Sequence, residues 1–395
     1  MNALLQQDVQ NFINDHLIDD IPKLALGGPY FDTIDTKIIL EQIISKKKCQ
    51  KKLPSWFNTA SILYPPKLHI EQTSSEITAA FKSSLVSGSS LVDLTGGFGV
   101  DALYFARVVD KVTHCEINTE LSAMVQHNFT LLKQPNISCL AVNGLKYLES
   151  LDVKTDIIYL DPARRSDTQK RVFRLEDCTP NILDHMDVLV DKAQSVMIKT
   201  APLLDISLGI KQLRFVSSVY VVAVNNEVKE LLWLLDPNYS DHPKIHAVNL
   251  SESGNWQQLT DWPIAQDAPS ICPIQNYLYE PLACVLKAGI HDHIALELGL
   301  DKLHPHTHLY TSKQLLSFPG HSFKVEQITT YNKKGFESLK INSANLKLRN
   351  APDSAETLRK KFKFKDGGDC YLFFTTDQTG KGCIIKTRKI ESASL

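Results

Sequence analysis

Metal-binding and disulfide frameworks are the first things missing from this sequence. Its eight cysteines (Cys49, Cys115, Cys139, Cys178, Cys272, Cys284, Cys370, Cys383) are scattered, and no two are spaced as Cys-x-x-Cys. That argues against a zinc ribbon or a disulfide scaffold and leaves reduced, mostly buried thiols; no metal is expected. The start, MNALLQQDVQNFINDHLIDD, has neither a basic n-region nor an apolar h-region, and no window approaches the ~18 apolar residues of a membrane span. A cytoplasmic protein is expected. Repeats and low-complexity segments are also missing, and 17 Gly and 18 Pro are ordinary usage, which excludes collagenous and disordered classes. What remains is a globular composition, 43% hydrophobic and 22% charged, in 395 residues, more than one core usually serves.

The net charge of -1 hides a division. Residues 321–395 carry 15 Lys and Arg against 8 Asp and Glu, a net +7, which leaves -8 for the other 320 residues. Such asymmetry suits a nucleic-acid-facing module, and equally a solvated charged face.

Residues 1–85 read as a helical subdomain, with LLQQDVQNFINDHL and KIILEQIISKKKCQKK apolar at helical spacing. EQTSSEITAAFKSSLVSG predicts a further helix capped by Ser74 or Ser75. From Leu91, short apolar runs (LVDLT, VTHCEI, ISCLAV, DIIYLD, SVMIKT, VYVVAV, KIHAVNL) alternate with amphipathic stretches. This predicts an α/β core over 86–260, with a mostly parallel sheet covered on both faces. SVYVVAVNNEVKELLWLL reads as strand, turn and helix, and KIHAVNL as a closing edge strand. The aperiodic, proline-rich stretch 255–280 reads as a boundary before a smaller α+β region, in which a helix starts near Asp353 or Ser354 and is followed by a Gly-Gly turn and an alternating strand.

Gly97-Phe98-Gly99-Val100-Asp101-Ala102 fits the dinucleotide pattern G-x-G-x-x-A. Asp93 speaks against a dinucleotide, because a pyrophosphate at the following helix N-terminus would be repelled by it. S-adenosylmethionine offers an ammonium and a sulfonium instead, so the same carboxylate becomes an asset. Gly96, Gly97 and Gly99 then admit close backbone approach, Thr95 adds a hydroxyl, and Asp101 suits the start of a helix. Glu116, 23 residues after Asp93 and followed by Ile117, is placed to accept both ribose hydroxyls, a device that nicotinamide enzymes share. Asn143 and Gly144 are placed to meet the adenine edge.

The fourth run ends in Asp161-Pro162-Ala163-Arg164. With DLTGGFGVDA, this tetrad resembles motifs I and IV of the class I S-adenosylmethionine-dependent methyltransferases. The resemblance implies a Rossmann-like seven-stranded core, with Asp161 and Pro162 beside the transferred methyl group and Ala163 and Arg164 completing the acceptor side. Ala163 replaces a second proline and Arg164 an aromatic that would stack on a base, so the acceptor atom stays open. A carbon-methylating variant needs a cysteine after the next strand, where SVMIKTAPLLD offers Lys199 and Thr200; Cys178 is a distant candidate. Arg164 and Arg165 could clamp a phosphate, or pair with the acidic RLED segment.

ETLRKKFKFKDGGDCYLFFTT resembles the THUMP-like domain that follows such a core in a bacterial family, placed at 321–395, and residues 275–320 resemble its small ferredoxin-like companion. The resemblance implies RNA as substrate and partner. Arg359, Lys360, Lys361, Lys363 and Lys365, interleaved with Phe362 and Phe364, agree if the cations meet phosphates and the rings stack bases; a half-buried edge strand has the same pattern. Lys46, Lys47, Lys48, Lys51 and Lys52 read as a solvated helix end. His304, His306 and His308 would share one face of a strand, with no carboxylate or cysteine to complete a metal site. Gln72 and Ser74 touch the cofactor or serve as cap and packing. The alternatives are a small-molecule or protein methyltransferase, a nicotinamide oxidoreductase, and a catalytically silent binding protein.

Overall fold

The computed structural model describes residues 2–164, 174–252, 256–259 and 267–390, which fall into two compact units. Arg165 lies outside the described residues, as does the side chain of Arg164.

The first unit comprises Met1–Tyr220, Lys229–Pro243 and Leu250–Asn255. Its N-terminal helices include Gln7–Asp15, Thr36–Lys52 and Glu76–Ser84; the last is capped by Ser75, whose side chain accepts from the Thr78 N–H at 3.2 Å. They are no detached layer. Leu53, Trp56 and Ile70 share a core with Phe98, Phe105, Val125 and Phe129, while Val9, Ile13, Ile39 and Ile43 form a smaller cluster. Lys46 is buried and donates to Asn14, and Lys52 donates to the carbonyls of Ile70 and Glu71, so two of the five clustered lysines are structural.

The core strands are β1 (Ser90–Asp93), β2 (Lys111–Cys115), β3 (Ile137–Leu140), β4 (Thr155–Leu160), β5 (Ala193–Thr200), β6 (Val216–Val224) and β7 (Glu227–Leu235). Their order is β3-β2-β1-β4-β5-β7-β6. β1 to β5 pair in parallel and β7 runs antiparallel to β5. Val92 and Asp93 of β1 and Ile157–Leu160 of β4 are buried without alternation, as strands covered on both faces must be. After β1 the chain winds outward through β2 and β3, and β4 returns to the other side of β1. This reversal opens a crevice at the carboxyl ends of β1 and β4, where open α/β sheets bind ligands.

Glu227–Leu235 is a strand, not the expected helix. Asn225 and Asn226 adopt φ of 49° and 64°, the left-handed pair of a tight hairpin, and return the chain as β7. A strand enclosed on both faces loses its period of two, so VKELLWLL imitates a helical pattern. KIHAVNL does form a strand, Lys244–Leu250, but not the closing edge: it lies between β6 and the strand Trp256–Leu259 in a sheet of nine strands, and the antiparallel strand inserted beside β5 is β7.

The second unit holds Val221–Val228, Lys244–Asn249 and Trp256–Leu395. One seven-stranded sheet runs through it in the order Asp301–Lys302, Tyr310–Ser312, Tyr277–Pro281, Gly320–Thr330, Gly382–Ile390, Cys370–Thr376, Asn345–Leu348. The long strand Gly320–Thr330 pairs with Tyr277–Pro281 on one side and Gly382–Ile390 on the other. Ser354 caps the helix Ala355–Phe362, and Gly367 and Gly368 take positive φ in the turn before Cys370–Thr376. Phe362 and Phe364 are buried against Phe336, Leu358 and Phe374, so they belong to the core and are not free to stack bases. Residues 304–308 form a turn, with His308 at φ 48°, instead of a strand with its histidines on one face. Among the described residues, no helix is long and apolar enough to cross a membrane and no three His, Cys, Asp or Glu side chains gather to hold a metal.

Gly99, at φ 76°, starts the helix Val100–Phe105, and a Cβ there would stand 2.5 Å from the Phe129 ring and 2.9 Å from Val125. Gly99→Ala combines left-handed strain with overpacking. It is expected to cost the first unit about 2–4 kcal/mol in urea unfolding.

Candidate active site

β1 delivers Asp93 to the crevice. Its carboxylate is buried and accepts the Thr95 N–H at 3.0 Å, which starts the turn. Burial pushes this carboxyl well above its ordinary value against that hydrogen bond, and Asp101, Asp161 and Glu116 add repulsion. Gly96 lies so close to the His114 ring that a Cβ would stand 2.3 Å from it; His114 is itself buried, and burial lowers its basicity. The turn is therefore moulded against β2.

Glu116, just past β2, accepts the Gly97 N–H at 3.0 Å and the Asn118 N–H at 2.7 Å. The expected ribose carboxylate is thus aimed back at the glycine turn. The next side chain, Ile117, is 70% exposed, an apolar surface at the lip of the crevice. Asn143 caps the helix Gly144–Glu149 by accepting the Lys146 N–H at 3.1 Å, and Gly144 packs against the backbone of Leu94, where a Cβ would meet the carbonyl oxygen at 2.2 Å. Both residues therefore carry local structural duties at the crevice edge. Gln72 is exposed, and Ser74 is buried in a polar network beneath the site.

That network starts at Lys82, fully buried, whose ammonium contacts Glu230 at 2.8 Å, Asp101 at 3.2 Å and Ser74 at 3.0 Å. Asp101 also accepts from Ser74 and from the Tyr159 hydroxyl, each at 2.8 Å. Burial would raise the Asp101 carboxyl, but the Lys82 and Lys199 ammoniums outweigh it and hold it below its ordinary range. Its expected helix-capping charge is thus spent on an interior ion pair.

Just past β4, the backbone N–H of Asp161 donates to the Thr95 hydroxyl at 2.6 Å, tying the tetrad to the turn. Lys199, from β5, makes a short ion pair with Asp161 Oδ2. Burial by itself would lower the Lys199 ammonium; Asp161, Glu230 and Asp101 outweigh it and hold it above its ordinary value. Pro162 is buried and Ala163 exposed. The Ala163–Arg164 backbone forms a small antiparallel ribbon with Cys178–Thr179, and the Cys178 side chain is buried there. Lys82, Tyr159 and Glu230 escaped the sequence reading, because single polar residues in apolar runs carry no spacing signal.

Asp93→Asn keeps the acceptor for the Thr95 N–H and removes a buried charge. It should stabilise the ligand-free protein at neutral pH by about 1–2 kcal/mol in thermal unfolding. Because the folded carboxyl titrates above the unfolded one, the gain should grow as pH rises from the ordinary carboxyl range through the raised value, and vanish below that range.

Comparison with known proteins adds to this geometry. Residues 277–319 match a ferredoxin-like domain and residues 320–389 a THUMP domain-like model. No curated protein matches the sequence. A crystal structure from Porphyromonas gingivalis W83, described provisionally as a methyltransferase, is 31% identical over 99% of both chains, with a TM-score of 0.87. The M. capricolum TrmK structure with S-adenosyl-homocysteine is 13% identical over 42% of this chain and 70% of its own, at a TM-score of 0.33. An rRNA methylase from Streptococcus thermophilus is 12% identical over 40% and 93%, at 0.31. Scores that low bear on neither cofactor nor substrate. The full-length match is of another order, and this chain belongs to the same family as the P. gingivalis protein, methyltransferases with an α/β core followed by ferredoxin-like and THUMP-like regions.

Proposed function

We propose that the protein transfers a methyl group from S-adenosylmethionine to a nucleotide in RNA. The observation that carries the cofactor is Asp93. A buried carboxylate beside the glycine turn, with its ionisation opposed by burial and by three other acidic groups, is a poor neighbour for a pyrophosphate and a good one for a ligand with two cationic centres. Glu116 and the exposed Ile117 fit a ribose and an adenine at the next strand end. The residues present thus suit the whole ligand, which when bound supplies an activated methyl group.

RNA is favoured by the THUMP domain-like match over 320–389 and by the net +7 of residues 321–395. Arg359, Lys360 and Lys361 pair with Asp366, Glu356 and Asp353, exposed contacts that a polyanion can replace at little cost. Asp161 and Pro162 stand where the acceptor atom is held, and the transfer itself asks chiefly for alignment.

Tritiated S-adenosylmethionine incubated with the protein and total RNA from a strain lacking the gene should label one RNA size class. Asp161→Ala should lower that labelling at least ~100-fold while calorimetric S-adenosylmethionine binding stays within about threefold. Binding should tighten as pH rises through the raised Asp93 value, and NAD should give no thermal shift. Label retained by Asp161→Ala would remove that residue from the reaction.

A further inference from the structure

Methyltransferases that act on an exocyclic amine present it with acceptors only, because a conjugated amino group donates two hydrogen bonds and has no lone pair free to receive one. The acceptor edge here is different. Oδ2 of Asp161 is occupied by the Lys199 ammonium, which has three donors and no acceptor. The Asp161 side chain is 33% exposed and that of Lys199 12%, so both groups are accessible, the carboxylate more than the ammonium. The Asp161 backbone is fixed through the Thr95 hydroxyl. A group entering this edge meets one acceptor and one donor side by side.

Only some acceptor atoms suit such a pair. An amine would set its N–H groups against the ammonium. A carboxylate would accept from Lys199 but face Asp161 as a like charge. A hydroxyl group donates its proton to the carboxylate and accepts from the ammonium with its oxygen, so both contacts are satisfied at once. Arg164 in place of the aromatic residue on which a flipped base would stack points the same way.

We propose that the methylated atom is a hydroxyl oxygen, the ribose 2′-hydroxyl of the RNA substrate, held between the Lys199 ammonium and the Asp161 carboxylate. This rests on the reading of the protein as an S-adenosylmethionine-dependent RNA methyltransferase. The balance is simple: an oxygen–carbon bond forms to the methyl group as the carbon–sulfur bond breaks and leaves its electron pair on sulfur, and the hydroxyl proton passes to Asp161 and then to water. Lys199 remains an ammonium throughout, and its charge favours the electron-rich oxygen at the moment of transfer. The second ion pair, Lys82 with Glu230 and Asp101, lies behind it; these two carboxylates hold Lys199 charged without reaching the acceptor.

The test is the chemistry of the product. RNA labelled from tritiated S-adenosylmethionine is hydrolysed in alkali, which needs a free 2′-hydroxyl for cleavage. Label in alkali-resistant dinucleotides is the expected result. Label in mononucleotides places the methyl on a base and overturns the proposal. If calorimetry shows S-adenosylmethionine bound but no RNA is labelled, the ribose acceptor is overturned and the cofactor reading survives; if nothing binds, the cofactor reading itself has failed.

A second readout isolates the donor. Lys199→Met should lower labelling ~100-fold, with S-adenosylmethionine affinity within about threefold and partial recovery in Lys199→Arg. Full labelling by Lys199→Met removes Lys199 from the role.

Discussion

The Lys82 ammonium is the contact on which the geometry of the crevice rests. It is fully buried in the helix Glu76–Ser84 and holds Glu230 from β7 and Asp101 from the helix after the glycine turn. Three parts of the chain meet on one nitrogen, and Ser74 and Tyr159 both donate to the Asp101 carboxylate beside it. A buried ion pair of this kind adds little net stability over an apolar replacement, but breaking it leaves uncompensated charge in a low dielectric. It therefore dictates where the N-terminal helices, β7 and the turn sit relative to one another.

The electrostatics of the crevice follow from that arrangement. Among the described residues, Asp93, Asp101, Asp161, Glu116 and Glu230 outnumber Lys82 and Lys199, so carboxylates prevail close to the glycine turn. Asp93 bears most of the burden: burial and its acidic neighbours make its ionisation costly. On the proposed function, a destabilising group is kept where binding of the cofactor relieves it, a common arrangement at functional sites. The two lysines are deployed differently. Lys82 is enclosed and structural, whereas Lys199 is partly accessible and pairs with the more exposed Asp161.

The glycine turn shows how closely shape and sequence are tied here. Gly99 begins a helix at a backbone angle that favours glycine, with Phe129 and Val125 against it, and Gly96 gives way to the His114 ring. Glu116 then fastens the turn from the neighbouring strand through the Gly97 N–H. The loop is preorganised by packing and by a carboxylate, so little ordering remains to be done when a ligand enters.

Local spacing in the sequence determined the parallel α/β core, the turn from Asp93 to Gly99, Glu116 at the second strand end and Asp161-Pro162 at the fourth, because each is a short-range pattern of strand, bend and helix start. The Ser75 and Ser354 caps were legible for the same reason. Tertiary structure alone decided the rest. β7 is enclosed on both sides and carries no period, so its strand character emerges only against β5 and β6. Phe362 and Phe364 looked like base-stacking residues until the core of the second unit claimed them. Lys82 and Glu230 are 148 residues apart, and Lys199 and Asp161 38, and nothing in a linear pattern pairs them. Charge pairing in an interior depends on which side chains folding desolvates together, and that is fixed by packing and not by order along the chain.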